Sequence, residues 1–475
     1  MFSDITIRFD YVEFFEKTIA SFGGVSRNTP KYVLRKNINS PFPDSGAYFG
    51  CINVGEEHTG AYSDLSIVVF PSNEEKTEQD RWIIALVVGS LGFKNDYHIV
   101  SLSGSRRVFL NCLGENSFIK NDFMDIETQD GFSSYCTRHN IPETLDKAVE
   151  KYRKVILACT LYDPNDFETG QNVIKLYLAI YANIRNWPTS KVQKREVNRI
   201  IQDRRPVAVN EEEIIRKLLR SRRYVVHQGA PGTGKTRMAK EIATDGEGQV
   251  FFTQFHAETS YTDFIYGIVP DVDSEILKYR KREGVFVQAI RAALNTDKRV
   301  YLIIDEINRA NLSNVLGPAF YLFEPSMSGS NIKVEVCPGL LLNELPSNLY
   351  VIATMNTADR SLAVVDFALR RRFAWYTLYP HSIEEADPGQ VFCFQEFSEI
   401  ASIFERYATD EELNLQPGHA YFIVSEDNPD NEIKTRLRYE VMPLIKEYLM
   451  DGMLSRAKDN FVNYFRDKIG EEMFR

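Results

Sequence analysis

The sequence predicts an α/β fold with a parallel sheet, preceded by a separate mixed α+β domain. Three observations support this prediction. From residue 207 to about residue 380, short β-branched runs alternate with helical segments, as in parallel strands joined by crossover helices. A glycine-rich turn joins the first of these strands to the helical segment that follows it. Residues 1–190 lack the alternation, and residues 381–475 have mostly helical patterns.

The parallel sheet is predicted to contain five strands. They are Tyr224–Gln228, Gln249–Phe255, Val300–Asp305, Leu349–Met355 and Ala374–Tyr379. The helical patterns of the last part are clearest at Tyr439–Leu449 and Ala457–Ile469. We therefore predict an α/β core over residues 207–380, followed by a helical lid and C-terminal helices over residues 381–475.

The first 190 residues are predicted to form an α+β domain for target recognition or partner binding. The expected strands are Leu65–Phe70, Trp82–Gly89 and Tyr97–Leu102, and the expected helices are Tyr11–Phe22, Leu145–Ala158 and Asn172–Ile184. Trp187–Ser190 interrupts the pattern. The charged residues 191–206 then indicate an exposed linker or helix.

Composition narrows the class of protein. A chain of 475 residues allows two to four domains at roughly 150 residues each. Its net charge of −10 argues against a surface that coats nucleic acid indiscriminately, but leaves a local basic groove open. The six cysteines form no CxxC pair, which favours free thiols over a zinc site or a disulfide framework. With no signal-like N-terminus and no long apolar run, we expect a cytoplasmic protein without a membrane partner.

A phosphate-binding loop is predicted between the first strand and its helix. Gly229–Thr236 fits the pattern GxxxxGK[ST] and lies between Tyr224–Gln228 and the helical Arg237–Ala243. Lys235 is expected to reach the β- and γ-phosphates, and Thr236 to hold Mg²⁺. The residues predicted to contact nucleotide are Gly229, Ala230, Pro231, Gly232, Thr233, Gly234, Lys235, Thr236 and Arg237.

Two later strands end in polar residues that suit hydrolysis. Val300–Asp305 is an apolar strand followed by Glu306, so Asp305 is predicted to bind Mg²⁺ and Glu306 to activate the attacking water. Asn356 follows Leu349–Met355, and its amide can hold the same water from the other side.

The basic run Arg370–Arg372 is either a solvated helix end or the source of an arginine finger for a neighbouring subunit.

Several segments resemble the McrB family, whose members are motor subunits of modification-dependent restriction systems. They are Ile303–Asn311, Met355–Phe373, Gln254–His256, Ser260–Ile265, Gly418–Phe422 and Arg438–Leu444, and the resemblance covers about residues 207–455. It implies an AAA+ P-loop NTPase core with a helical lid, a homo-oligomeric ring, typically a hexamer, and a separate McrC-like nuclease subunit. It also implies that Arg371 is the finger and that the nucleotide is GTP, although ATP stays open.

Two segments depart from the family. Gly317-Pro318 stands where the helix after Glu306 commonly carries Gly-Glu, and Pro325–Ser330 is expected to be unusually flexible. Asn356–Asp359 superficially resembles the guanine-reading motif of small GTPases. Its expected place at a strand tip beside the γ-phosphate argues against that role.

By the same resemblance, residues 1–190 would choose the target, which in McrB systems is modified DNA. Basic and aromatic residues alternate at Lys31–Lys36, and Arg106–Phe109 adds a second short cluster. Either cluster could equally be a solvated face. Asp64 with Glu74-Glu75-Lys76 loosely resembles a metal nuclease, but the latter segment reads as a polar loop, so we expect no nuclease activity.

Two other functions are compatible with the same motifs. One is a MoxR-like AAA+ remodelling chaperone whose first domain binds protein. The other is a scaffold in which nucleotide only controls ring assembly, which very slow, partner-independent turnover would indicate.

Overall fold

The computed structural model describes residues 2–39, 47–71, 81–129, 131–141, 143–150, 152–204, 210–244, 248–271, 278–324, 332–358, 367–383 and 386–474. The chain divides into two compact units. The first contains Met1–Ala208 and Glu405–Thr409, and the second contains Val209–Phe404 and Asp410–Arg475. Among the described residues, no helix is both long and apolar enough to cross a membrane.

The first unit is built on a six-stranded antiparallel sheet. In chain order its strands are β1 (Tyr32–Asn37), β2 (Tyr48–Asn53), β3 (Leu65–Phe70), β4 (Trp82–Val88), β5 (Ser117–Ile119) and β6 (Ile156–Tyr162). Their order in the sheet is β1-β2-β3-β4-β6-β5. The helices are α1 (Phe2–Ile19), α2 (Tyr97–Val100), α3 (Ser103–Cys112), α4 (Phe132–Arg138), α5 (Glu143–Glu150), α6 (Phe167–Ile184) and α7 (Lys191–Gln202).

Both faces of this sheet are covered. One face packs on a core that includes Phe15 of α1 and Tyr177 of α6, and the other packs on Phe132 of α4 and Leu145 of α5. Strands buried on both faces read as continuous apolar runs. The prediction of one helix over Leu145–Ala158 was wrong for this reason. The helix ends at Glu150, and the buried strand β6 begins at Ile156.

A second prediction was also wrong. Tyr97–Leu102 was expected to be a strand, but it contains the short helix α2. The carbonyl of Asp96 accepts hydrogen bonds from the backbone N–H groups of Ile99 and Val100, which closes a helical turn in spite of the β-branched residues. The charged segment expected as a linker or helix contains α7, whose Val197 and Ile201 are buried in the core of this unit.

The second unit contains the parallel sheet. Its strands are β7 (Tyr224–Gly229), β8 (Gln249–Gln254), β11 (Val300–Asp305), β14 (Leu349–Asn356) and β15 (Ala374–Thr377). Their order is β8-β11-β14-β7-β15, and every pairing is parallel. The α/β prediction is therefore confirmed. Antiparallel hairpins β9 (Tyr266–Pro270) with β10 (Tyr279–Glu283), and β12 (Val334–Cys337) with β13 (Leu340–Leu342), were not predicted.

Helices cover this sheet on both faces. The core-flanking helices are α8 (Glu211–Arg222), α9 (Lys235–Thr244), α10 (Tyr261–Phe264), α11 (Val285–Leu294), α12 (Leu312–Leu316) and α13 (Phe367–Arg372). Along β11, Tyr301 and Ile303 face the α8 and α9 side, whereas Leu302 and Ile304 face the α11 side. Gly317, with φ of 47°, ends α12 and opens a 3₁₀ helix, Gly317–Phe323, and Pro325–Ser330 lies outside the described residues.

The last part of the chain is mainly helical, as the sequence predicts. It contains α14 (Phe394–Tyr407), α15 (Pro429–Arg436), α16 (Met442–Met450) and α17 (Lys458–Ile469). A short hairpin, β16 (Gln390–Phe392) with β17 (Ile423–Ser425), accompanies them.

Candidate nucleotide-binding site

The glycine-rich loop lies at the carboxyl end of β7, directly before α9. Gly232 and Gly234 have φ of 78° and 77°, a left-handed conformation that residues with a Cβ rarely adopt. The hydroxyl of Thr233 donates to the carbonyl of Ala230 at 2.9 Å. The loop is therefore a fixed turn at the N-terminus of a helix, where backbone N–H groups favour an anion.

Lys235 is folded back onto this loop. Its ammonium donates to the carbonyls of Gly229 at 3.0 Å and Ala230 at 2.7 Å. Burial lowers the pKa of Lys235 to about 8, and the carboxylates of Glu306 and Asp305 act in the opposite direction. The ammonium of Lys235 would form stronger hydrogen bonds with phosphate oxygens than with these carbonyls, because each bond would then join two charged groups.

Asp305 lies where β11 ends, opposite Thr236 and Thr354. One of its carboxylate oxygens, Oδ1, accepts from the hydroxyl of Thr236 at 2.7 Å and from that of Thr354 at 2.6 Å. The sequence predicts Thr236 and Asp305 as neighbours in a magnesium site, but it gives no signal for Thr354. Hydroxyl and carboxylate oxygens are the ligands that Mg²⁺ prefers, together with water and substrate phosphates, so these two residues fit that ion.

Glu306 follows Asp305 in a left-handed conformation, with φ of 55°. Its backbone N–H donates to the Thr354 hydroxyl at 3.1 Å, and the amide of Asn356 donates to its Oε1 atom. Its Oε2 atom lies 3.4 Å from the Nε atom of Arg309. A non-glycine residue in this conformation is strained, and such strain concentrates at functional sites. Arg309 was not among the site residues predicted from the sequence.

The segment Gly418–Tyr421 packs directly on the loop. The N–H of Gly418 donates to the carbonyl of Pro231 at 2.9 Å, and that of Ala420 donates to Gly232 at 3.0 Å. A Cβ on Gly418 would lie 2.0 Å from the carbonyl carbon of Gly232. Position 418 therefore requires glycine, and this part of the C-terminal region helps to hold the loop.

A cavity of about 270 Å³ adjoins the loop within the second unit. Its lining includes Thr233, Gly234, Glu211, His381 and His419. Burial, together with nearby His381 and Arg237, lowers the pKa of His419 to about 4, so this ring is neutral at pH 7.

Arg237, predicted to contact nucleotide, also lines the cavity. Its guanidinium bonds to Glu241 at 2.7 Å and to both carboxylate oxygens of Asp387 at 3.1 and 3.2 Å.

The three consecutive arginines have different surroundings. Arg372 is 2.9 Å from Glu324 and stacks over the ring of Phe320 at 4.1 Å. The guanidinium of Arg370 lies over Trp375 at 5.5 Å. Arg371 is exposed, its backbone carbonyl accepts from Arg222, and no hydrogen bond or ion pair joins its side chain to another residue that the structure describes. No described contact joins it to Lys235 or Glu306 of its own chain.

The candidate DNA contacts of the first unit are engaged in internal bonds. Lys31 donates to the carbonyl of Trp187, and Arg35 donates to His58 and Gly60. Arg106 donates to the carbonyl of Lys120.

Asp64, the acid of the loose nuclease pattern, is fully buried. Burial acts to raise its pKa, but backbone N–H donors from residues 94–96 lower it overall. This carboxylate therefore serves the fold. Glu74-Glu75-Lys76 and residues 359–366 lie outside the described residues.

Comparisons with known proteins agree with the motifs. Residues 225–373 match the AAA domain of the dynein-related subfamily. The chain is 35% identical over 271 residues to the Escherichia coli "Type IV methyl-directed restriction enzyme EcoKMcrB subunit", covering 52% of this chain and 58% of that one. It is 30% identical over 201 residues to the Bacillus subtilis "Type II restriction enzyme BsuMI component YdiS", covering 34% of this chain and 58% of that one.

A solved structure of a Cytophaga hutchinsonii protein described as an ATPase covers 52% of this chain and 64% of its own, at 14% identity. Its TM-score of 0.26 is too low to indicate a shared fold. The chain spans about 58% of the length of each of the two restriction proteins it matches. Residues 225–373 thus form an AAA domain, and 52% of the chain is similar to an McrB subunit.

Proposed function

We propose that the chain hydrolyses a nucleoside triphosphate, GTP or ATP, as the motor subunit of a restriction or anti-phage complex. The observation that carries the proposal is the convergence of Lys235, Thr236, Asp305, Glu306 and Asn356 at the carboxyl ends of β7, β11 and β14. In parallel α/β sheets, ligands bind at this edge. The glycine-rich turn at the same edge adds the N–H donors that a phosphate needs.

Hydrolysis would proceed by attack of water on the γ-phosphate. Lys235 would leave the carbonyls of Gly229 and Ala230 and donate to the β- and γ-phosphates. Glu306 would accept the proton of the attacking water, and Asn356 would hold that water on its other side. Mg²⁺, when bound by Thr236 and Asp305, would neutralise phosphate charge. Positioning and electrostatics would thus supply most of the rate.

A ring would complete the site. Arg371 is exposed, and its side chain forms no hydrogen bond or ion pair with any described residue, which is compatible with a finger that reaches a neighbour's γ-phosphate. We therefore propose a homo-oligomeric ring, with a hexamer as the expected size. Similarity to a methyl-directed restriction subunit and to a second restriction component supports a separate McrC-like nuclease partner. Neither relative favours the MoxR-like alternative.

Residues 1–190 would recognise the target, which we propose is modified DNA. The proposal rests on the similarity to the methyl-directed relative, since the basic clusters singled out in the sequence are tied into the fold. Filter binding of the full chain to modified and unmodified duplexes of one sequence tests it. Equal retention of the two duplexes would contradict the proposal for modified DNA.

The hydrolysis itself is tested with the purified chain. GTP or ATP turnover should require Mg²⁺ and should be abolished by Lys235→Ala, because this change removes the one lysine of the loop. The matched control is Lys240→Ala, on the same helix α9 but exposed and close to Phe252 instead of the loop. Turnover that survives Lys235→Ala unchanged would contradict the assignment.

A further inference from the structure

The antiparallel hairpin of β9 and β10 carries positive charge that the proposed hydrolysis does not use. Four basic residues at its second strand are all exposed, namely Lys278, Arg280, Lys281 and Arg282. Arg282 lies 3.9 Å from the carboxylate of Asp263, whereas no described residue forms a hydrogen bond or ion pair with the side chains of the other three. Such a concentration of cations, in a chain whose net charge is −10, indicates a surface for an anionic partner.

The two faces of this hairpin have different surroundings. Ile268 pairs with Lys281, and Tyr279 lies two residues before Lys281, so these three side chains share one face. The opposite face lies against α10, where a Cβ on Gly267 would be 1.9 Å from the Cγ2 atom of Thr262. On the shared face, which we call the hairpin face, Ile268 and Tyr279 are each 64% exposed. The hairpin face therefore presents an aromatic ring and an aliphatic side chain to solvent, next to cations.

An aromatic ring among cations suits a single strand of nucleic acid better than a duplex. The cations attract phosphates in either case. In a duplex, however, each base is stacked between its neighbours, whereas an unpaired base can stack on a tyrosine ring. An acidic peptide would match the charge but offers Tyr279 no planar base. We propose that the hairpin face binds a single strand of nucleic acid, with Tyr279 stacked on a base and with Lys278 and Lys281 at phosphates. This contact is separate from the nucleotide site and from target recognition by residues 1–190.

Fluorescence anisotropy of a labelled oligothymidylate, titrated with the full chain in the absence of nucleotide, tests the proposal. The single strand should bind more tightly than the duplex that it forms with its complement. Tyr279→Ala should weaken binding of the strand by about 5-fold or more, the typical effect of losing one base stacked on an aromatic ring. Tyr279→Phe keeps the ring and removes only the hydroxyl, so its affinity should stay within about 2-fold of wild type.

The dependence of binding on salt tests the cations. Each phosphate contact of a single strand contributes about 0.7 to the slope of log K against log salt concentration. Lys278→Ala combined with Lys281→Ala should therefore lower the magnitude of that slope by about 1.4. The matched control combines Lys191→Ala with Lys194→Ala, which removes the same charge from exposed positions on α7 and should leave the slope unchanged.

Three results would overturn the proposal. The first is a single strand that binds no more tightly than its duplex, and the second is the same salt slope for the two pairs of lysine substitutions. The third is a Tyr279→Ala variant that binds as tightly as wild type, or a Tyr279→Phe variant that loses as much affinity as Tyr279→Ala. All of the substituted side chains are exposed, so thermal unfolding of each variant should match wild type. A loss of affinity then reports a lost contact instead of a lost fold.

Discussion

The three arginines at the end of α13 allow a prediction that separates catalysis from folding. Arg370, Arg371 and Arg372 are identical in chemistry and adjacent in sequence, yet only Arg371 has no side-chain partner among the described residues. Replacing each by alanine removes the same charge. Because their surroundings differ, Arg372→Ala should lower the free energy of unfolding, whereas Arg371→Ala should lower the rate of hydrolysis.

The magnitudes follow from the contacts. The Arg372 side chain is 10% exposed and its partner Glu324 is 22% exposed. Removal of one partner from a buried pair typically costs about 3–5 kcal/mol, and with this partial exposure we expect about 2–3 kcal/mol for Arg372→Ala. Arg371→Ala is a surface change and should stay within about 0.5 kcal/mol of wild type. Its turnover should instead fall by about 10³–10⁵-fold, as when an arginine finger is lost.

Two measurements distinguish the variants. Urea denaturation gives the free energy of unfolding, and steady-state phosphate release gives kcat. Arg371→Ala should have normal stability, normal nucleotide affinity and almost no turnover. A kcat for Arg371→Ala close to wild type would refute the finger assignment.

Mixing Arg371→Ala with Glu306→Gln should restore some activity, since certain interfaces then pair an intact Arg371 with an intact Glu306. Mixed rings that exchange subunits and stay inactive would refute action in trans.

Three further predictions concern the proposed base Glu306, the loop residue Lys235 and DNA cleavage. Glu306→Gln should bind nucleotide with near wild-type affinity but lose about 10²–10⁴-fold in kcat, and phosphate release at the wild-type rate would show that another group is the base. Because burial lowers the pKa of Lys235 to about 8 and only the protonated form attracts phosphate, nucleotide affinity should fall as pH rises through 8. Titrations across that range would contradict this if affinity stayed constant or rose. The purified chain alone should not cut modified DNA with Mg²⁺ and GTP or ATP, and cleavage seen on a gel would contradict the need for a separate nuclease.

The sequence predicts local features of the second unit well. The loop at 229–236 depends on glycines within a few residues of each other, and the five parallel strands are recognisable as apolar runs. Thr354 could not be found this way, because a threonine in an apolar strand is simply a good β-former. Its hydroxyl meets Asp305 only through the parallel pairing of β11 with β14, which matches Ile304 with Ala353.

The strands of the first unit were harder to recognise in the sequence. With helices on both faces, its strands lose the apolar-polar alternation that marks a half-exposed sheet. Every residue of Ile156–Tyr162 is buried, and its first part, Ile156–Ala158, was therefore joined to the preceding helix. The basic residues Lys31 and Arg106 were candidates for DNA contact because the sequence shows their charge. Their bonds to Trp187, 156 residues away, and to Lys120, 14 residues away, are visible only in the folded chain.

At the carboxyl edge of the parallel sheet, Lys235, Asp305 and Glu306 each have an internal partner. Lys235 occupies carbonyls, Asp305 accepts from two threonine hydroxyls, and Glu306 is held by Asn356 and lies near Arg309. Burial of unpaired charges would destabilise the fold, so these contacts stabilise the arrangement of the three side chains. In the proposed mechanism, Lys235 would exchange its carbonyl partners for phosphate oxygens, and a water held by Glu306 and Asn356 would replace the direct bond between them. The contacts that hold these side chains in place would therefore also compete with the proposed reaction, because Asn356 occupies the Oε1 atom of Glu306 on the side where the proposed water would lie.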